Sequence, residues 1–383
     1  MLMFLVVMTA VLGALAAYVG VRLIPTGWST TMRSWAWVAV AGLVLVQPLS
    51  FVIRFVLHKE AVGDLLSWCA YLAMGALVLL LAFTFLRDVG WLAGRLTRLL
   101  PAEPERRQAL LDLTNLGVLA LSTGTFGVGL VRALARPTVV DVTVPIAGLP
   151  QGLDGFVIAQ ISDIHIGPTL KRPFLETVVE LVNELKADMV AITGDLVDGS
   201  VAELAHHTEV LGQVRARHGA WFVTGNHEYY SGAEEWVAEV RRLGLTVLID
   251  EHRVIDHEGH AIVIGGVADY TAGGMVPAHK SDPHAAMRGA PEGAAFKLLL
   301  AHQPRSAFEA AKAGFQLQLS GHTHGGQVFP GNLLIHLVQP FAAGLHLHEG
   351  MHVYTNSGTG WWGPPLRTTR TPSEITRLTL RRA

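Results

Sequence analysis

Four stretches of this chain, 1–21, 35–53, 65–86 and 113–131, contain no Asp, Glu, Lys or Arg. Lipid offers no partner for open backbone N–H and C=O groups, so such stretches can cross a bilayer only as helices, and roughly 20 residues suffice. The first three are strongly apolar. The fourth carries Thr114, Asn115, Ser122, Thr123, Thr125 and four glycines, and it suits either a fourth span or an interfacial or buried helix. A cleaved signal peptide is disfavoured for the first stretch, which lacks a basic N-terminal region and is followed by further spans. With no charge inside the windows, they read as an anchor rather than a transport path.

Basic residues in short loops set orientation. Arg22, Arg33, Arg87, Arg95, Arg98, Arg106 and Arg107 fall on one side, and Arg54, Lys59, Arg132 and Arg136 on the other. The richer side should be cytoplasmic. That makes the chain a multi-pass integral membrane protein with its C-terminal part outside the cytoplasm.

Composition divides the chain at the same place. Residues 1–136 are a transmembrane helical region, whereas 137–383 hold most of the acidic residues and all but one of the 18 His, the exception being His58. The net charge of −2 averages two unlike parts, and no basic block points to nucleic acid. No protein partner is indicated. Cys69 is the single cysteine, which excludes a disulfide framework and a cysteine zinc site.

The second part repeats one pattern. After an edge strand at 139–144, apolar strands at 156–161, 189–192, 221–223, 297–300 and 315–319 each run into a polar cluster. Helical spacing follows at 173–186, 233–243 and 306–313. Uniformly apolar strands imply a sheet covered on both faces. Residues 247–270 read as strands without helices, so a second, partly antiparallel sheet is expected, and 271–295 reads as a loop. In α/β sheets ligand groups gather where strands end, so five clusters distant in sequence can converge on one rim.

The residue types then suggest the chemistry. Asp163 and His165 share a face, as do His322 and His324. Asp195 follows a glycine, Asn226 offers an amide oxygen, and His302 an imidazole nitrogen. Mixed carboxylate, imidazole and amide-oxygen donors suit divalent Mn, Fe, Zn or Co. Seven donors exceed one tetrahedral site and fit two ions, roughly 3.5–4 Å apart, sharing a carboxylate, an arrangement suited to displacement at phosphorus.

Asp163-Ile164-His165, Gly194-Asp195-Leu196-Val197-Asp198, Gly225-Asn226-His227-Glu228, His302 and Gly321-His322-Thr323-His324 occur in that order. They resemble the five signature blocks of calcineurin-like metallophosphoesterases, without a substitution among the expected ligands. The resemblance covers about 139–380. Gly325-Gly326-Gln327, the stretch 149–165 and Asn356-Ser357-Gly358-Thr359-Gly360 are similar to a bacterial subgroup anchored to, or exported across, the membrane.

The resemblance implies an α/β fold, a four-layer α/β/β/α sandwich, here preceded by an all-α transmembrane bundle of about four helices. It implies one metal on Asp163, His165, Asp195 and His324, and another on Asp195, Asn226, His302 and His322, with Asp195 shared. A hydroxide bridging the metals would attack phosphorus, with His227 as the non-ligand catalytic residue. Asp198 and Glu228 would orient ligands or cap a helix. The membrane anchor favours a lipid-linked or cell-envelope phosphodiester. The alternatives are a pyrophosphatase of the UDP-diacylglucosamine type and a non-catalytic metal-binding membrane receptor.

Other residues stay open. Trp361 and Trp362 suit core, substrate rim or lipid contact, and Arg367 suits a surface charge or a phosphate holder. His346, His348 and His352 alternate along a strand and could line the site. His206, His207, His252, His257, His260, His279 and His284 read as surface histidines.

Overall fold

The computed structural model describes residues 2–57 and 60–383; His58 and Lys59, both used in the sequence reading, lie outside the described residues. The chain forms two units. One comprises Met1–Leu134 with Val328–Pro330 and Gly363–Thr368; the other comprises Ala135–Gln327, Gly331–Trp362 and Thr369–Ala383. A single break after residue 136 was expected, but two short segments from late in the sequence belong to the helical unit.

The helical unit contains α1 (Leu2–Leu23), α2 (Thr30–Phe51), α3 (Glu60–Leu96) and α4 (Pro104–Leu134). All four are long and apolar enough to cross a membrane, the fourth included. Ser29 caps α2, its Oγ accepting the Met32 N–H at 3.3 Å. Ala16, Val19, Val44 and Leu77 form the apolar seam between α1, α2 and α3. At 37 residues, α3 is about 55 Å long, more than a bilayer core requires. Its surplus length carries charge. Arg22 Nε lies 2.9 Å from Asp88 Oδ2, the Tyr18 hydroxyl donates to the same carboxylate, and Arg87 joins Asp88 to Asn115. Near the other end of α3, Arg54 pairs with Asp64. The C-terminal end of α1 therefore lies beside the C-terminal part of α3. Within this unit Phe329 stacks on Phe83, and the Arg367 N–H donates to the Gly129 carbonyl at 2.9 Å.

The second unit holds two six-stranded sheets. In chain order the strands are β1 (Thr138–Ile146), β2 (Val157–Ile161), β3 (Met189–Ile192), β4 (Ala220–Phe222), β5 (Thr246–Val247), β6 (Glu251–His257), β7 (His260–Gly266), β8 (Phe296–Leu300), β9 (Leu317–Ser320), β10 (Gly344–His348), β11 (Met351–Thr355) and β12 (Glu374–Arg382). The first sheet runs β1-β12-β2-β3-β4-β5 and the second β10-β11-β9-β8-β7-β6. β2 to β5 are parallel, as are β7, β8, β9 and β11. β1 is an edge strand as expected, and the partly antiparallel second sheet begins with the β6–β7 hairpin.

Period-two alternation shows how the layers stack. Leu298 and Leu300 face a core shared with Ile158, Met189 and Trp221 of the first sheet. Leu299, between them, packs outward against Ala307 and Ala310. The helices are α5 (Arg172–Glu184), α6 (Val201–Thr208), α7 (Asn226–Ser231), α8 (Ala233–Arg242), α9 (Pro283–Met287), α10 (Ala307–Lys312) and α11 (Gly331–Val338). The amphipathic α5 buries Leu175, Val178, Val179 and Val182. The stretch 271–295, expected as a loop, contains α9, whose N-terminal N–H groups are received by Asp282. Periodicity could not reveal a five-residue helix held by one cap.

Trp236 of α8 is fully buried, and its indole N–H donates to the Gly199 carbonyl at 2.9 Å, tying the helix to the loop after β3. Trp236→Ala should cost about 3–5 kcal/mol through the cavity it leaves, read as a lower chemical-denaturation midpoint of the second unit. Trp236→Phe should cost clearly less.

Candidate metal centre

Every cluster expected at a strand end is found there, and the backbone is bent sharply to present it. Asp163 and His165 follow β2, Asp195 follows β3, Asn226 opens α7 after β4, His302 follows β8, and His322 and His324 follow β9. Asp163, His165, Asp195, His322 and His324 all have positive φ, between 49° and 73°. Non-glycine residues seldom adopt this region, and such strain gathers at functional sites. Two glycines permit the close approach: a Cβ on Gly225 would strike the Asp195 carboxylate, and one on Gly321 would strike Ser162 and Asp163.

Three donor groups result, each with ligand atoms within 4.8 Å of one another: Asp163, His165 and His324; His165, Asp195 and His227; Asp195, His302 and His322. Asp195 is common to the last two. Its Oδ2 lies 3.1 Å from His302 Nε2 and 4.0 Å from His165 Nε2. His324 Nε2 is 3.3 Å from Asp163 Oδ1 and 3.2 Å from His165 Nε2.

Hydrogen bonds from the far side aim these donors. His302 Nδ1 donates to the Thr193 carbonyl at 2.7 Å, which leaves Nε2 facing the cluster. Asp198 Oδ1 receives His165 Nδ1 at 3.1 Å and His227 Nδ1 at 2.5 Å. Helix α6 is instead capped by Ser200 with Glu203, so Asp198 orients histidines rather than capping. Glu228 does both. Its buried carboxylate accepts the N–H of Gly225 at the start of α7, and those of Asp195 and Leu196.

The charge balance calls for cations. Burial would raise the Asp163, Asp195 and Asp198 carboxyls, but nearby histidines prevail: Asp195 falls to about 2, and Asp163 and Asp198 lie well below the usual range. Burial would lower His302 and His227, yet the carboxylates around them hold His302 well above its ordinary value and raise His227 to about 9. Burial and the adjacent His302 charge push His322 down to about 4, keeping it a neutral donor. Burial, with the Asp195 charge, raises Glu228 to about 7. Asn226 Oδ1 is buried without a hydrogen-bond partner, and an amide oxygen left this way suits a metal. The donor set fits two divalent ions.

The remaining sequence candidates separate. Trp362 is 54% exposed, with its ring centroid 5.8 Å from that of His227. Trp361 is buried against Phe174, so it is core and not rim. Arg367 is fully buried in the helical unit and is not a surface charge. His346 and His348 do not line the donor cluster; both pack on Phe341. His257 is buried, edge-on to Phe156, and not a surface residue.

Sequence reasoning missed Tyr230, which is 5.3 Å from the His227 ring. Its i+3 spacing from His227 on a helix would have revealed it. It also gave no role to the tail 356–360. There the Thr359 and Gly360 N–H groups donate to the Ser162 and Asp163 carbonyls at 2.8 and 3.0 Å, bracing the bend after β2.

The fold and site define a metal-dependent phosphoric ester hydrolase carried on membrane-capable helices. Comparison with known proteins agrees. Residues 156–326 match the family model described as calcineurin-like phosphoesterase. A Danio rerio protein named "Transmembrane protein with metallophosphoesterase domain" is 36% identical over 93% of this chain and 82% of its own length. A Helicobacter pylori metallophosphoesterase is 36% identical over 72% of this chain and 73% of its own. For one from Bacillus subtilis the figures are 29%, 72% and 97%. The chain belongs to the calcineurin-like metallophosphoesterase family.

Because two donor groups share Asp195, Asp195→Ala should empty both metal positions together, measured as metal content of the purified protein. Asp198→Ala should leave the ligands in place but weaken metal affinity about 10- to 100-fold through loss of histidine orientation.

Proposed function

We propose that this chain is a binuclear phosphodiesterase acting on a lipid-linked or cell-envelope phosphodiester. The observation that carries the reading is the Asp195 carboxylate, common to two donor groups, with His227 beside it but tied to Asp198. Asp163, His165, Asp195 and His324 would hold one ion, and Asp195, Asn226, His302 and His322 the other. Mn, Fe, Zn and Co all suit these donors. Bound there, the pair would supply Lewis acidity toward the phosphoryl oxygens and a lowered pKa for water.

The protein's own groups supply the rest. Asp198 holds His227 Nδ1 at 2.5 Å, so the free edge of the ring, Nε2, is the one that can reach a substrate oxygen. With Nδ1 held by Asp198, His227 can donate a proton from Nε2 to the departing alkoxide. Glu228 keeps the ends of β3 and β4 in register through three N–H groups. The exposed rings of Trp362 and Tyr230 flank His227 and suit an apolar or ring-bearing leaving group.

Orientation forms part of the proposal. The meeting of Arg22 with Asp88 supports placing the arginine-rich loops on one, cytoplasmic, side, which puts the second unit outside the cytoplasm.

His227→Ala should retain bound metal yet lose about 100-fold or more in kcat toward an aryl phosphodiester, the usual scale of a lost general acid; near-normal turnover would remove its catalytic role. Purified Mn-loaded protein screened against monoesters, diesters and lipid pyrophosphates should prefer diesters. A reporter fused after Ala383 should behave as extracytoplasmic, and cytoplasmic behaviour would reverse the orientation.

A further inference from the structure

Helix α11 (Gly331–Val338) exposes what helices of soluble domains bury. Leu333, Leu334, Leu337 and Val338 are 61%, 55%, 81% and 55% exposed, and the helix buries no residue of its own. Their i, i+1, i+4, i+5 spacing sets them on a single stripe. The sequence Gly-Asn-Leu-Leu-Ile-His-Leu-Val contains no Asp, Glu, Lys or Arg. Eight residues make about 12 Å of helix, far too short to cross a bilayer. A contiguous exposed apolar patch of this kind marks an interaction site.

Two observations identify the partner. The residues directly before α11, Val328–Pro330, are part of the helical unit that carries the membrane-capable helices, so the chain enters α11 from that unit. Leu337 and Val338 of the stripe also line a cavity of about 370 Å³, which they share with Arg305, Phe308, His336 and Gln339. Gln339 is 8% exposed, and its Oε1 has no hydrogen-bond partner. Arg305 reaches α11 by donating to the Val338 carbonyl at 2.5 Å. An aliphatic stripe next to a cationic and amide-bearing cavity complements acyl chains beneath anionic headgroups.

We infer that α11 is a membrane-surface helix, its aliphatic stripe seated at the headgroup–acyl boundary and the Arg305–His336–Gln339 cavity at headgroup level. Arg305 lies three residues beyond His302 in the sequence, in the short turn Pro304–Ser306 that follows the metal donor. This deepens the proposed function and rests on it for substrate class: a phosphoester presented at the bilayer surface would reach the site without leaving the lipid.

The test uses the full-length protein in nanodiscs of mixed phosphatidylcholine and phosphatidylglycerol, one copy per disc. Cys69 is replaced by Ala, and a single cysteine, placed by Leu337→Cys or, as a control on exposed β6, by Arg253→Cys, carries an environment-sensitive fluorophore. At 337 the emission should shift to the blue, and lipids bearing a spin label on the acyl chain should quench it about twofold, with no such effect at 253. Emission at 337 matching that at 253 would overturn the inference. So would a label shielded from water but untouched by the spin-labelled lipid, which would assign the stripe to a protein contact. The readout does not require turnover. It should persist in Asp195→Ala, so failure of the membrane contact and failure of the phosphoesterase reading are separately visible.

Discussion

Three ionised carboxylates, the buried Asp163 and Asp195 and the part-buried Asp198, stand in one cluster, and the second unit is arranged to hold them there. Burying a charge costs several kcal/mol unless partners compensate it. Histidines compensate here, with His302 and His324 against the first two and His165 and His227 on the third. The surplus of negative charge that favours divalent ions is the same feature that keeps His302 and His227 protonated without them.

Bringing those side chains together strains the backbone. Five donor residues sit at positive φ, at a cost of about 1–3 kcal/mol each, and the surroundings keep them there. Glu228 fastens the exit of β3 through two N–H groups and the exit of β4 through a third. The tail at 356–360 fastens the exit of β2. These braces depend on the two sheets, whose alternating residues build an inner core on one side and seat α10 on the other.

The helical unit follows a different rule. Its helices bury few residues, and much of their aliphatic surface is exposed, which is stable only in lipid. Polar groups concentrate near the ends of α3, where Asp88 gathers Arg22, Arg87 and Tyr18. Across the chain, exposed aliphatic surface therefore signals lipid, and α11 carries that signal into the second unit.

Much of this was legible in the sequence. Spans, strand ends and the seven donor residues are local patterns: charge-free runs, apolar runs of four to six residues, and polar clusters at fixed offsets from them. Their order along the chain sufficed for the family resemblance. Tertiary structure alone decided what depends on distant parts of the chain meeting. Glu228 became a brace because β3 and β4 are neighbours. Asp198 came to serve two histidines because His165 and His227, far apart in sequence, converge on it. Trp361 and Trp362, adjacent and chemically alike, were divided between core and surface, and the Arg367 backbone was bonded to Gly129, more than two hundred residues upstream. Local pattern reports what a residue can do, whereas its neighbours, fixed only when the sheets close, select which of those things it does.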